Sequence, residues 1–309
     1  MTDVNKYKLN RTMLRISKDP HASLTFYERL GMRVIWTSKP PTLDAELYFL
    51  AFDSPTSIWH GKLLTDREGV IELNYIPGQK INPNDNATPS CFGYICILVD
   101  DVDLAYRSLA AVGGRLLGTP SGGSGMVLDP DGYPIKLYKC SQGLAAVLAE
   151  GHIMHSTMLS VRDGDRSLAF YRDVLGMGIQ HTFQDRELGY SRHLLGYDLL
   201  GTRNGSEKSL ICQAKRGGYL ELICQRGKGD SDPPVYHNGN GEPFGYGHIC
   251  VSVDDIGLAC QRLEENGVVW LERLEEGQYQ EAYVLDPDSY WIKIVQNDCY
   301  KLAGHDFAS

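Results

Sequence analysis

Three features are missing from this chain of 309 residues, and each absence removes a class of function. No apolar run approaches the roughly 20 residues of a membrane-spanning helix, and the opening stretch MTDVNKYKLNRTML holds no apolar signal core. No basic stretch interleaves with aromatics, and the formal net charge is -9, which argues against binding a phosphate backbone. The eight cysteines form no CxxC pair, and several sit in apolar runs such as YICILV and HICVSV. They read as buried reduced thiols rather than disulfides or zinc ligands. These absences predict a cytoplasmic enzyme, with neither nucleic acid nor membrane as partner. Hydrophobic residues make up 42% and charged residues 22%, a balance suited to two globular domains with sizeable cores.

What the chain does contain is itself, twice. RTMLRISKDPHASLTFYERLGMRVI (11–35) returns as STMLSVRDGDRSLAFYRDVLGMGIQ (156–180), and VIELNYIPG (70–78) as YLELICQRG (219–227). FGYICILVDDVDLAYRSLAAVGG (92–114) returns as YGHICVSVDDIGLACQRLEENGV (246–268), and VLDPDGYPIKLY (127–138) as VLDPDSYWIKIV (284–295). Four matched blocks in one order mean a duplication. The predicted domains are 1–145 and 146–309, joined through KCSQGLAAVLAEG (139–151).

Each half divides again into two similar pieces. A short strand comes first, then an amphipathic helix: in SLTFYERLG, Leu24, Tyr27 and Leu30 recur at threes on one face. Asp100 or Asp101 can cap the helix of the second piece and Gly113 can end it. Apolar or alternating strands follow, such as ELYFLAF and GVIELNYI. DPDG (129–132) is a tight turn into the last strand. The fold class is therefore α+β, four βαβββ modules in tandem. GTPSGGSGMV (118–127) lacks a phosphate-loop ending and reads as a mobile loop over a cleft.

The motifs TML, SLxFY, LGM, LYFLAF, LEL, YHNGN and DPDGY together resemble two-domain glyoxalase I of the vicinal-oxygen-chelate superfamily, over nearly the whole chain. The resemblance implies that module one pairs with four and two with three, giving two U-shaped clefts. It implies a divalent metal in each hollow and proton transfer within the hemithioacetal of glutathione and methylglyoxal. A duplicated chain already holds the pairings that single-domain relatives make as dimers, so a monomer is expected.

By the resemblance, four side chains line each site: a Gln or His before TM, the Glu of LEL, the His after FG or YG, and a last-strand Glu. Here the first cleft would gather Arg11, Glu72, His248 and Lys293. The second would gather Ser156, Glu221, Tyr94 and Lys136. Both LEL-type glutamates are present, but both last-strand glutamates are lysine. The first set sums to about +1 and the second to zero. An ammonium about 4 Å from a dication costs on the order of 8 kcal/mol at an effective dielectric near 20. No cofactor is therefore expected, with a zinc or nickel ion as the alternative. Arg15 matches a position that helps to hold glutathione; its counterpart is Ser160. The arginine expected before FGH is Ser90 in one half and Phe244 in the other. Trp291 and Tyr133 complete the expected substrate contacts, and Trp36, Trp59 and Trp270 are further candidates to line a cavity.

Three readings stay open. Lysine or arginine can take the cation's place beside an enolate, with Glu72 or Glu221 as the proton-transfer base and Tyr94 as a weak acid. That makes a metal- and glutathione-independent lyase or isomerase acting on a carbonyl compound, suited to a specialised biosynthetic pathway. Alternatively, the clefts are catalytically dead and bind or sequester small molecules, with Lys293–Glu72 and Lys136–Glu221 as buried ion pairs. The third reading is a metal-dependent lactoylglutathione lyase. His237 reads as a polar loop residue. His155 points away from the second cleft on a regular strand, unless a bulge brings it in.

Overall fold

The computed structural model describes residues 3–17, 19–41, 44–83, 89–140, 152–185, 189–197, 216–225, 236–276 and 280–300. Each repeat folds as one strand, one helix and three strands. The first holds β1 (Lys8–Ile16), α1 (Pro20–Arg29), β2 (Arg33–Ser38), β3 (Glu46–Ala51) and β4 (Val70–Tyr75). The second holds β5 (Phe92–Val99), α2 (Val102–Ala110), β6 (Arg115–Ser121), β7 (Ser124–Leu128) and β8 (Pro134–Lys139). The third holds β9 (Ile153–Val161), α3 (Gly164–Ala169), β10 (Gly178–Asp185), β11 (Tyr190–Gly196) and β12 (Tyr219–Gln225). The fourth holds β13 (Tyr246–Val253), α4 (Ile256–Glu265), β14 (Val269–Glu272), β15 (Glu281–Leu285) and β16 (Trp291–Gln296).

An aspartate opens each of the four module helices α1 to α4. Asp19, Asp101, Asp163 and Asp255 each accept a first-turn N–H with the side chain, satisfying a donor the helix itself cannot. For α2 the cap is Asp101, not Asp100. Beyond its last turn Gly113 has φ +91°, the left-handed conformation that glycine adopts freely.

The strands form two eight-stranded sheets, ordered β14-β15-β16-β13-β1-β4-β3-β2 and β10-β11-β12-β9-β5-β8-β7-β6. Module one thus pairs with four and module two with three. In each sheet an antiparallel central pair, β1/β13 or β5/β9, is flanked by parallel neighbours. Residues 145 and 146 fall between β8 and β9, and each sheet draws strands from both sides of that point; residues 141–151 lie outside the described residues. One core joins the four modules, with Leu14, Ile95, Leu159 and Ile249 fully buried within it. Across the middle, the hydroxyls of Thr12 and Thr157 meet at 2.5 Å.

Two local devices position the site. The first is the DPD turn before β8 and β16. Asp129 Oδ1 accepts the N–H groups of Asp131, Gly132 and Tyr133, while its Oδ2 accepts the Tyr27 hydroxyl. Asp286 repeats this with Asp288, Tyr290 and Tyr171. The turns fix the starts of the strands that carry Lys136 and Lys293. The second device is a bulge early in β1 and β9, where the ladder skips Asn10 and His155. An extra residue there re-aims its neighbour, which is Arg11 in one sheet and Ser156 in the other.

The stretch 118–127 is not a loose cover. It is the hairpin of β6 and β7, turning through Gly122 and Gly123 at φ +58° and +77°. Positive φ at both central residues is the two-residue turn that matches strand twist.

Candidate active site

In the first sheet, four adjacent strands bring the expected set together. Arg11 Nε donates to Glu72 Oε2 at 2.5 Å, and Arg11 Nη1 donates to Asn10 Oδ1 at 2.7 Å. His248 Nε2 lies 4.0 Å from the same Glu72 oxygen and is buried with no hydrogen-bond partner among the described residues. Its ring meets Tyr283 edge-on at 5.6 Å, and Tyr283 meets Trp291 at 6.2 Å. Lys293 does not pair with Glu72. Its Nζ lies 2.5 Å from Glu281 Oε2 and over the Tyr283 ring at 5.3 Å. Glu281 stands two residues before Tyr283, which opposes Lys293 in the ladder. Two cations thus face two carboxylates, and the expected surplus of +1 is cancelled.

Burial pushes the Glu72 carboxyl up, but Arg11, His248 and Lys293 together outweigh it and hold the group below its usual range. Burial likewise lowers Lys293, yet Tyr283, Glu72 and Glu281 leave it raised against the repulsion of Arg11. These opposite charges stabilise one another.

In the second sheet, the Tyr94 hydroxyl donates to Glu221 Oε1 at 2.8 Å, and the Ser156 hydroxyl donates to Oε2 at 3.4 Å. Lys136 Nζ lies 3.4 Å from the Tyr94 oxygen and 4.9 Å from the ring centroid. Lys136 and Glu221 are thus not the direct ion pair expected; Tyr94 stands between them. The partner of Glu221 is Arg192 on β11, with Nη1 3.3 Å from Oε1. Arg192 and Lys136 come from strands four steps apart. A flat sheet would separate them by about 19 Å, so this chain of contacts requires a sharply curved hollow. Two cations face one carboxylate here, where the sequence led us to expect balance.

His155 sits on the bulge, its Nδ1 3.2 Å from Ser156 Oγ. Burial, helped by Lys136, pushes its imidazole down to about 4. Burial pushes His248 down to about 3; Lys293, Arg11 and Arg15 add to this against the pull of Glu72. An unfolded imidazole titrates near 6.5, so above that pH both histidines are neutral in both states and protonation takes nothing from folding. As pH falls from about 6.5 toward 3 or 4, only the unfolded chain gains these protons, and stability is lost. Imidazole NMR resonances of His155 and His248 are expected to stay in neutral positions at pH 5. An imidazolium signal from either at pH 5 would contradict the dry environment drawn here.

Two expected substrate contacts are structural. Tyr133 is fully buried, and its hydroxyl donates to the Arg15 carbonyl at 2.7 Å. Arg15 is spent on the YHNGN segment: Nη1 donates to the carbonyls of Gly239 and Tyr246 at 3.1 and 3.2 Å, and Nη2 to Asn240 Oδ1 at 2.8 Å. His237 orders its own loop, accepting the Gly239 N–H at 3.0 Å when Nδ1 is unprotonated. Trp59 is buried and donates to the Arg216 carbonyl in a hollow away from both clefts. Trp36 is largely exposed on β2, and Trp270 stacks with Arg273.

The side chains do not suit a divalent ion. Of the four expected first-cleft side chains only Glu72 and His248 could donate; Glu72 Oε2 already takes the Arg11 N–H, the Lys293 charge acts on the same carboxylate, and Glu281 is paired with Lys293. In the second cleft Glu221 is surrounded by Tyr94, Ser156 and Arg192. Among the described residues no group of three or more His, Cys, Asp or Glu side chains is placed to hold a metal.

Residues 8–137 and 152–294 match the family model described as Glyoxalase/Bleomycin resistance protein/Dioxygenase superfamily. The chain is 36% identical over 310 residues to a lactoylglutathione lyase of Schizosaccharomyces pombe, spanning 96% of this chain and 98% of that one. It is 33% identical to a glyoxalase I of Saccharomyces cerevisiae, spanning 93% and 91%. The crystal structure of glyoxalase I from Zea mays has the same fold, with a TM-score of 0.70 at 21% identity over 94% of this chain and 92% of that one. With both halves matched and full-length relatives above 30% identity, the chain belongs to the glyoxalase/bleomycin resistance protein/dioxygenase superfamily, as a glyoxalase I-like lyase.

Proposed function

We propose that this protein moves a proton between adjacent carbons of a carbonyl-bearing small molecule, using a fixed side-chain cation where relatives by resemblance would use a metal. One observation carries the reading: each cleft holds a carboxylate with a guanidinium directly on it, Arg11 on Glu72 and Arg192 on Glu221, and a lysine close by. The carboxylate takes the proton from a hydroxyl-bearing carbon next to the carbonyl. The C–H electron pair becomes the C=C bond of an enolate, and the carbonyl π pair moves onto oxygen. A cation in a low-dielectric hollow stabilises that oxyanion. The carboxylic acid then gives its proton to the former carbonyl carbon, while the hydroxyl proton passes to the oxyanion and the first carbon's oxygen becomes the new carbonyl, so no electron leaves the system and no redox partner is required. The cytoplasm suits such an enzyme: the described cysteines are free thiols, most of them buried. Among the described residues no helix is long and apolar enough to cross a membrane.

A second reading is favoured by the full-length relatives, one called a lactoylglutathione lyase and the other a glyoxalase I: metal-dependent conversion of a glutathione hemithioacetal. One experiment separates the two. Protein stripped with EDTA is mixed in D2O with α-hydroxy ketones, oxo acids, or methylglyoxal plus glutathione, and carbon-bound deuterium is followed by NMR. Exchange that persists in EDTA supports the first reading. Activity confined to the glutathione adduct and restored only by zinc or nickel establishes the second.

A further inference from the structure

We infer that the second cleft is where substrate reacts, and that the substrate is a small oxo acid, with a carboxylate on one side of its carbonyl, a hydroxyl-bearing carbon on the other, and an apolar side group. This rests on the proton-transfer reading above and adds the cleft and the chemical class. The first ground is charge. In the first cleft each cation has its own carboxylate, Arg11 with Glu72 and Lys293 with Glu281, both at 2.5 Å. The pairs are closed systems that ask nothing of a ligand. In the second cleft Arg192 and Lys136 share one carboxylate. Lys136 has no carboxylate within ion-pair distance among the described residues; its contact is the neutral Tyr94 hydroxyl. A positive charge is left over, and a bound anion completes the set.

The second ground is access. The side chains of Arg11, Glu72 and His248 are all 6% exposed or less, and Lys293 is 11% exposed. Lys136 and Lys293 are both partly buried, so the contrast lies in the arginines: Arg192 is 37% exposed. A molecule from solvent can reach Arg192, while Arg11 is shut in by its neighbours.

The third ground is placement. Lys136 and Arg192 approach from opposite walls of the hollow, with Tyr94, Ser156 and Glu221 on the three strands between them. A planar molecule with two vicinal oxygen groups fits this order. The guanidinium takes the carboxylate, the ammonium takes the carbonyl oxygen, and Glu221 faces the carbon that loses a proton. The walls are apolar: Phe183 lies 5.4 Å from the Arg192 guanidinium, and Met126 and Met158 pack, partly buried, beside Tyr94 and Cys96.

The test uses oxalate, a planar dianion with vicinal oxygens, titrated calorimetrically into the full-length protein. One equivalent is expected to bind. Lys136→Met is expected to weaken it by about 10- to 100-fold, the range of one charge-assisted hydrogen bond, and Lys136→Arg to recover most of the loss. Arg192→Met is the second variant, and unchanged melting temperatures show that each protein is folded. Two equivalents, no binding, or indifference to Lys136→Met would overturn the inference. Deuterium exchange that continues without an oxalate site would remove this inference and leave the proton-transfer reading standing. Oxalate binding as expected with exchange untouched by Glu221→Gln would do the reverse.

Discussion

Replacing Arg11 with Gln and Lys293 with Glu in one variant is expected to create a first cleft that binds about one equivalent of zinc or nickel, where the unaltered protein is expected to hold none tightly. Two remaining donors are close to position. Glu72 Oε2 and His248 Nε2 are 4.0 Å apart, against about 3.4 Å for a tetrahedral ion with bonds of about 2.1 Å, a gap that a small side-chain movement closes. What stops them is charge. The Arg11 N–H occupies the Glu72 oxygen, and the Lys293 ammonium lies close enough to act on the same carboxylate. The double change removes both cations and adds two oxygen donors, so Glu72, Glu281 and the new carboxylate share a buried site with no positive charge. Without metal this variant should melt lower than wild type. Metal at a hundred times its dissociation constant should then restore about 2.7 kcal/mol. Lys293→Glu alone should do much less, because Arg11 still holds Glu72. Elemental analysis after dialysis and melting curves with and without zinc provide the readout. Stoichiometric metal in the unaltered protein would refute the electrostatic argument at its base.

The duplication made most of the architecture legible. Repeated blocks announced four modules, the spacing of Leu24, Tyr27 and Leu30 marked a helix whose Tyr27 and Leu30 are buried, and the glutamates of the LEL-type strands do sit at the centres of the two hollows. What stayed hidden were the partners that decide the charge. Glu281 and Arg192 stand on flanking strands, where the two halves differ. By ladder register the counterpart of Arg192 is Leu47 and that of Glu281 is Ser124. A comparison of halves finds what is shared, whereas these residues act because they are not shared. The signal was nonetheless present. Glu281, Tyr283 and Lys293 share a face once β15 and β16 are paired, by the two-residue period of a strand. The bulges at Asn10 and His155 left no such trace, since both halves carry them at the same spacing. Tyr133 differs for another reason. Its motif position suggested substrate contact, but its phenol is fully buried and donates to the Arg15 carbonyl, while the Arg15 guanidinium also holds the Gly239 and Tyr246 carbonyls.

Glu221→Gln is expected to lower turnover by about 10²–10⁴-fold, the usual worth of a positioned acid or base, with a much smaller change in KM. The amide keeps the shape of the carboxylate: its oxygen can still accept the Tyr94 hydroxyl and its NH2 can donate to Ser156 Oγ in place of the bond it loses, yet it cannot take a proton from carbon. Its loss of charge leaves Arg192 without its carboxylate. Arg192 is 37% exposed, however, and its pair with Glu221 is partly screened by water, so the variant should fold with a melting temperature close to wild type. A split in which kcat falls and KM holds marks a group that acts in the transition state; a purely structural residue would move both, or neither. The reading needs the substrate that exchanges fastest in D2O, and it gains from the same change at Glu72. Glu72 lies under Arg11 in a sealed pocket, and a carboxylate held below its usual range is a poor base. A loss at Glu72→Gln as large as at Glu221→Gln would move the chemistry into the first cleft despite its cancelled charges. Full turnover in both variants would mean that neither carboxylate carries the proton and that the cations alone act on the substrate.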